Sequence, residues 1–220
     1  MPTNQGNLSD LLASKPFVEQ AIWYRMLNKA SIGNDNKIKN DFFENNKNVE
    51  AFQNYFLSVD ENIKRYVQAW NGPYHAWKGE LNKLKEQIIN ILYQEIKKMN
   101  YPSSADATLL VELAKAMGAI LAVDLKTSQI RRFLGAVMES EVGVKKKGPG
   151  DFNKAHAEYL KVYLAYAAGR NESAMPLLRV LEPMISKIRN NGQQGWNDFN
   201  VFVRFVRSIV AYHKFYGGSE

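Results

Sequence analysis

Cysteine is absent from the 220 residues of this chain, and only three histidines occur. The first absence excludes disulfides and thiolate metal sites and fits a cytoplasmic protein. The second leaves little for an imidazole metal site: His75, His156 and His213 are widely spaced, and none has a second histidine or a carboxylate at ligand spacing. No apolar run approaches the roughly 20 residues of a membrane span. The segment MPTNQGNLSD lacks the basic, apolar and small-residue succession of a secretory signal. Phosphate-cradling glycine loops and dinucleotide fingerprints are missing too. No acid, base and nucleophile converge in the pattern, so the sequence predicts no enzyme, no metal and no cofactor.

Apolar residues make up 45% of the chain, ample for a packed core. Their spacing follows the 3.6-residue helical period nearly everywhere, and no convincing alternating strand is found. The formal net charge is +7 and it is uneven: residues 1–104 carry 13 Lys/Arg against 11 Asp/Glu, residues 105–220 carry 16 against 11. A basic C-terminal half favours a polyanion partner, although simple solubility explains an excess of that size equally well.

The pattern predicts an all-α protein of two parts. In residues 1–104, Ser14 and Pro16 open a helix to about Ala30, with Phe17, Ala21, Tyr24 and Leu27 on one face. SIGNDNK breaks it, VEAFQNYFL carries a further helix, and Asp60 caps another that reaches Trp70. After the NGP turn, Pro73 precedes a long helix in which Trp77, Leu81, Leu84, Ile88, Ile91 and Tyr93 recur toward Met99. NYPSSAD marks the main boundary. Residues 105–220 then read as a compact bundle of about five helices. These are ATLLVELAKAMGAILA, a turn at VDLK, TSQIRRFLGAVMES capped by Thr127 or Ser128, and DFNKAHAEYLKVYLAYAAGR closed by Gly169 as a left-handed cap. ESAMPLLRVLEPMISKIRNNG follows, bent at Pro183 and ended by Gly192, and a last helix opens near Trp196.

The last helix carries the clearest pattern. At about 100° per residue, Phe202, Phe205, Val206, Ile209, His213 and Tyr216 share one face, while Arg204, Arg207 and Lys214 form a stripe on the other. His213 therefore reads as a packed, hydrogen-bonded core histidine. In the TSQIRRFL helix, Ile130, Phe133, Leu134, Val137 and Met138 follow the core spacing, which turns Arg131 and Arg132 outward. Lys145, Lys146 and Lys147 lie in VGVKKKGPG, a loop by composition; it reads as a solvated mobile segment or, equally, as one that closes over a nucleic-acid backbone. Tyr159, Tyr163 and Tyr166 read as core and helix-helix contacts in preference to base-stacking platforms.

TSQIRRFL, YLKVYLAYAAGR, a helix with Leu/Met/Ile spacing and FVRFVRSIVAYHKFYGG occur in that order over about residues 105–220. Together they resemble the small subunit of the Csm effector complex, the type III-A CRISPR RNA-guided interference machine. The resemblance implies a non-catalytic helical bundle, stacked with further copies of itself along the groove that holds the crRNA–target RNA duplex. It also implies contact with the crRNA-binding backbone subunit and the large subunit, to which the catalytic activities belong. Position by position, Arg131 matches the family's arginine after Ser-Gln-Ile and Arg132 its following cation. Arg170 matches the arginine after the helix-ending glycine, and Arg204 and Lys214 fall in the matching terminal helix. Arg207 rests on the stripe alone. Residues 1–104 have no counterpart in the family pattern and read either as a docking domain or as extra helices that thicken the bundle.

The expected RNA-binding residues are therefore Lys126, Arg131, Arg132, Lys145, Lys146, Lys147, Arg170, Arg204, Arg207 and Lys214. They would grip phosphates without reading sequence, in a cytoplasmic antiviral complex with no membrane contact. The alternative is a helical scaffold that docks protein partners without touching nucleic acid.

Overall fold

The computed structural model describes residues 7–28 and 60–218. The chain divides into two compact units, Met1–Ile88 and Ile89–Glu220. Among the described residues the secondary structure is helical, with one isolated bridge between Asn153 and Asn191. The protein is all-α, as its periodicity predicts.

In the first unit, α1 (Leu8–Leu12) starts where the Asn7 side chain accepts from the Asp10 amide at 2.9 Å. Helix α2 (Phe17–Leu27) begins after Pro16, three residues later than Ser14, and every residue from Gln20 to Leu27 is buried. A helix covered all round belongs to an interior. Its polar Gln20 is satisfied by donating to the Lys15 carbonyl at 2.8 Å and accepting from Gln87 at 3.0 Å. Helix α3 (Glu61–Ala69) is capped by Asp60, as expected: one carboxylate oxygen accepts from the amides of Asn62 and Ile63. The other takes Lys15 at 2.6 Å. The predicted helix at VEAFQNYFL lies outside the described residues.

Helix α4 (Tyr74–Lys98) buries Trp77, Leu81, Leu84 and Ile88, then Leu92 and Ile96. The expected continuation through Ile91 and Tyr93 is off phase; both are only half-buried. From Ile88 the buried side chains advance in steps of four, through Leu92 to Ile96, with Ile89 buried beside them.

The second unit contains the end of α4, a 3-10 turn at Pro102–Ser104, and five further helices: α5 (Ala107–Asp124), α6 (Thr127–Lys147), α7 (Ala155–Arg170), α8 (Met175–Ser186) and α9 (Gly192–Phe215). Asp106 caps α5 through the Leu109 amide at 2.9 Å. The most extensive pairing is α5 on α9, followed by α7 on α8; α6 lies against both α9 and α7. Gly118 makes the first pairing close: a Cβ there would stand 2.6 Å from the Tyr212 Cβ and 2.8 Å from the His213 amide nitrogen. Only a hydrogen side chain fits that crossing.

Several helix boundaries in this unit differ from the sequence reading. Helix α5 runs on to Asp124, so the turn shrinks to Leu125 and Lys126, and Lys126 occupies the N-cap of α6 in place of Thr127 or Ser128. Thr127 is drawn inside, where its hydroxyl donates to the Gly218 carbonyl at 3.2 Å. VGVKKKGPG is no loop as far as Lys147: α6 continues because Val137, Glu141 and Val144 keep the core phase, and Gly148, at φ 83°, ends it before Pro149. Gly169 lies within α7 and is not left-handed; the helix stops at Asn171, whose amide reaches the Ala167 carbonyl at 3.0 Å. Asn171 then accepts from the Ser173 amide and donates to Gln129 of α6, so one side chain closes a turn and ties two helices. Gly192 does not end the helix before it: α8 stops at Ser186, and Gly192, at φ 66°, opens α9 four residues before Trp196.

Met138, expected in the core, is 45% exposed. The apolar face of α9 is as predicted, with Phe202, Phe205, Val206, Ile209, His213 and Tyr216 all buried. The double glycine ends the helix through paired bonds: the Gly217 amide to the Lys214 carbonyl and the Gly218 amide to that of His213, both 3.0 Å, with Gly217 at φ 71°. Gly218 lies flat against the His213 ring, where a Cβ would stand 2.1 Å from a ring carbon.

Candidate nucleic-acid interface

The cations singled out by sequence are held mainly by α6 and α9. Two contacts show that these helices run in opposite directions: Thr127 meets Gly218, and Glu141 meets Arg207. On α9, Arg204, Arg207 and Lys214 are exposed opposite the aromatic face. On α6, Lys126, Arg131, Arg132, Lys145 and Lys146 are exposed, and Lys147 is the last helical residue.

Rotation about α6 separates its two arginines. At about 100° per residue, Arg131 lies about 80° from Glu141, on the flank that faces away from α7, and Arg132 lies about 180° round. Arg131 thus shares the α6–α9 flank with the terminal stripe. Arg132 instead lines a groove with Arg170 of α7. The ten cations therefore fall into at least two groups and are not one row.

Two of the ten hold a buried carboxylate. Glu141 is 5% exposed; one oxygen takes the Arg207 guanidinium at 2.6 Å and the other takes Lys145 at 2.7 Å. A buried carboxylate without cations would be expensive, so part of the charge of Arg207 and Lys145 is spent inside the protein. Sequence reading missed Glu141 because the core pattern is traced through apolar residues alone. Its phase, four after Val137 and three before Val144, was the signal available.

The groove between α6 and α7 has a volume of ≈ 390 Å³. Its floor is apolar, formed by Leu125, Phe133, Leu164, Ala167 and Leu177. Arg132, Arg170, Gln129, Tyr163 and Tyr166 form the rim. Arg170 packs on the Tyr166 ring, 5.6 Å from its centroid, and donates to its hydroxyl at 3.2 Å. Beside the groove, Tyr159, Val162, Tyr163 and Tyr166 stand 69%, 65%, 52% and 64% exposed. The tyrosines are thus not core contacts, contrary to expectation. Their spacing matches that of a buried stripe, and sequence alone does not tell which stripe of a helix finds a neighbour.

A second cluster was unforeseen. Asp198 on α9 is fully buried and accepts from the Arg189 backbone amide at 3.1 Å, its Nε at 2.8 Å and its Nη2 at 3.0 Å. The Ser103 amide and hydroxyl donate to the same carboxylate. Burial pushes the Asp198 carboxyl up, but Arg189, Ser103 and the two amides outweigh it and hold it below the usual aspartate value. Arg189 also covers the Tyr101 ring at 4.4 Å. This network locks the segment before α5 onto α9. Asp198 sits one residue before Phe199 on the core stripe, again a carboxylate in core phase.

The histidines are dispersed. His213 donates from Nε2 to the Leu125 carbonyl at 2.8 Å in full burial, as the core reading requires. Among the described residues no three His, Asp or Glu side chains converge as a metal would need, and no helix is long and apolar enough to cross a membrane.

The fold is thus that of an all-α bundle protein with a cationic flank and an adjoining apolar groove. The family model described as Csm2 Type III-A matches residues 104–219, more than half of the chain. The chain belongs to that family and is a small subunit of the type III-A Csm effector complex, a structural component that works beside other subunits. No curated protein and no solved structure matched the chain. The match starts where the sequence places its boundary, at NYPSSAD, whereas the compact units divide within α4.

Proposed function

We propose that this subunit lines the crRNA–target RNA duplex of its complex through phosphate contacts that do not read sequence, and that it takes no part in bond breaking. Base pairing between the two RNAs supplies the recognition; this chain supplies fixed cations and shape in a cytoplasmic antiviral assembly. The backbone subunit, the large subunit and further copies of the same chain are its proposed neighbours. Residues 1–104 are proposed as a helical extension added to the small-subunit bundle.

The observation that carries the reading is the α6–α9 flank. Arg131, Arg204 and Lys214 are exposed there on two helices whose opposite faces are buried, so their spacing is set by packing. Arg207 and Lys145 border the same flank as a pair around Glu141. Lys126 and Lys146 are exposed near the two ends of α6, Lys147 closes the helix, and Arg132 and Arg170 stand at the groove.

A salt titration of duplex RNA binding tests this. Affinity of the wild-type chain should fall steeply with salt. The Arg131→Ala/Arg204→Ala/Lys214→Ala variant should show a slope flatter by about two to three, since each neutralised phosphate contributes just under one. Arg207 is left in place because it holds Glu141. Equal slopes in a folded variant would reduce the stripe to a solvated face.

A further inference from the structure

The groove between α6 and α7 has a different character from the cationic flank. Its floor is aliphatic and aromatic, and its only polar rim groups besides the two arginines are Gln129 and two tyrosine hydroxyls. Gln129 is already engaged, accepting from Asn171 and from the Lys126 amide. Neither Arg132 nor Arg170 is ion-paired with a carboxylate among the described residues, and the Arg170 guanidinium is held in place on Tyr166. The exposed ridge of Tyr159, Val162 and Tyr163 continues from it, and Glu158 lies in the same turn of α7 as Tyr159.

We propose that this groove docks another protein subunit of the complex, through a segment that places an apolar side chain on the floor and carboxylates on Arg132 and Arg170. The charge complement is direct: two exposed guanidiniums, that of Arg170 held on Tyr166, flank a pocket with no acid of its own, and Asp or Glu matches their fork in bidentate pairs. The apolar floor decides between macromolecules. A nucleobase pushed onto it would set its edge donors and acceptors against Leu125, Phe133, Leu164, Ala167 and Leu177, none of which offers a side-chain hydrogen bond, whereas a leucine- or phenylalanine-sized side chain loses nothing. Val162 offers no stacking face, and exposed Tyr beside Arg is the composition of a protein-interface centre. This inference goes beyond the phosphate reading and does not depend on it.

The test uses the full-length chain and the other protein subunits of its complex, purified together and stripped of RNA by nuclease. Two variants separate the contributions. Ala167→Leu fills the groove floor without changing charge, and Arg132→Gln/Arg170→Gln removes the two exposed cations without touching the core. Circular dichroism melts verify that each is folded. Binding of the stripped subunits, measured by interferometry, should weaken at least tenfold for each variant. Duplex-RNA affinity of Ala167→Leu should equal that of wild type. Undiminished subunit binding by the two variants overturns the proposal, as does a wild-type chain that fails to bind the stripped subunits. Loss of RNA affinity in Ala167→Leu would make the groove a nucleotide site. Wild-type self-association abolished by Ala167→Leu would make the occupant a second copy. Either result overturns the proposal. Failure of the phosphate reading shows instead as equal salt slopes and leaves these measurements unchanged.

Discussion

Asp198 shows how one side chain sets a measurable pH response. Its carboxyl is held below the ordinary aspartate value of 3.8, so folding is favoured wherever the group is ionised in both states. That contribution is complete above 3.8 and is lost as pH falls below it toward the folded value. Asp198→Asn should therefore lower stability at neutral pH and flatten the acid limb of a plot of urea midpoint against pH. Breaking a fully buried pair costs roughly 3–5 kcal/mol. Arg189 keeps access to water, so a loss of about 2–3 kcal/mol is expected; an unchanged acid limb would show that another group governs it. Glu141 belongs to the same kind. Glu141→Leu in a core-phase position removes the carboxylate and leaves Arg207 and Lys145 without it. At 0.1 M salt or below, duplex-RNA affinity should then rise, because two cations are released toward the flank. Unchanged affinity would place both outside the RNA contact. The acids were the least legible residues in the sequence. Apolar periodicity registers apolar side chains alone, so a carboxylate in core phase, such as Glu141 or Asp198, leaves no mark in it.

Among the elements, what the sequence made legible was the phase of strongly amphipathic helices. The terminal helix, with its buried aromatic face and outward Arg204 and Arg207, followed directly from 3.6-residue spacing, and the Asp60 cap from its place just ahead of a periodic run. Helix ends chosen by glycine were less secure. Glycine marks a left-handed cap only where the flanking residues let the helix stop; here Ala168, directly before Gly169, is buried, and the helix runs through Gly169 to Arg170. Two opposite outcomes follow. Gly169 has an ordinary backbone and nothing within 4 Å of an added Cβ. Gly169→Ala should therefore raise the melting temperature by about 1–3 °C, by lowering the entropy of the unfolded chain. Gly118→Ala should lower stability by about 2–4 kcal/mol, since the obstacle is largely helix backbone and the whole α5–α9 crossing must part. Scanning calorimetry on both checks the signs; a stabilising Gly118→Ala would mean that the two helices are not in close contact. The tyrosine ridge of α7 was misread for a related reason. Periodicity shows that a stripe exists, and whether it meets a neighbour is a matter of tertiary arrangement.

For the whole molecule, the two compact units make separate claims. A fragment of residues 89–220 contains α5 to α9 with the Asp198 network and the terminal glycine cap, so it should fold by itself. A single sharp thermal transition for that fragment is the expected result, and a broad, non-cooperative melt would show that the first 88 residues are needed for folding. The all-α class and the position of the family-like part were readable from pattern and motif; the division within α4 was not, because a continuous amphipathic helix carries no mark of where its neighbours change. The α5–α9 seam has a further consequence for the order of events during synthesis. Helix α5 is complete at residue 124, but the surface that covers it comes from residues 192–215. At typical translation speeds of about 5–20 residues per second, this leaves an interval of several seconds during which a nascent chain displays an almost entirely apolar helix to the ribosome exit site and whatever waits there.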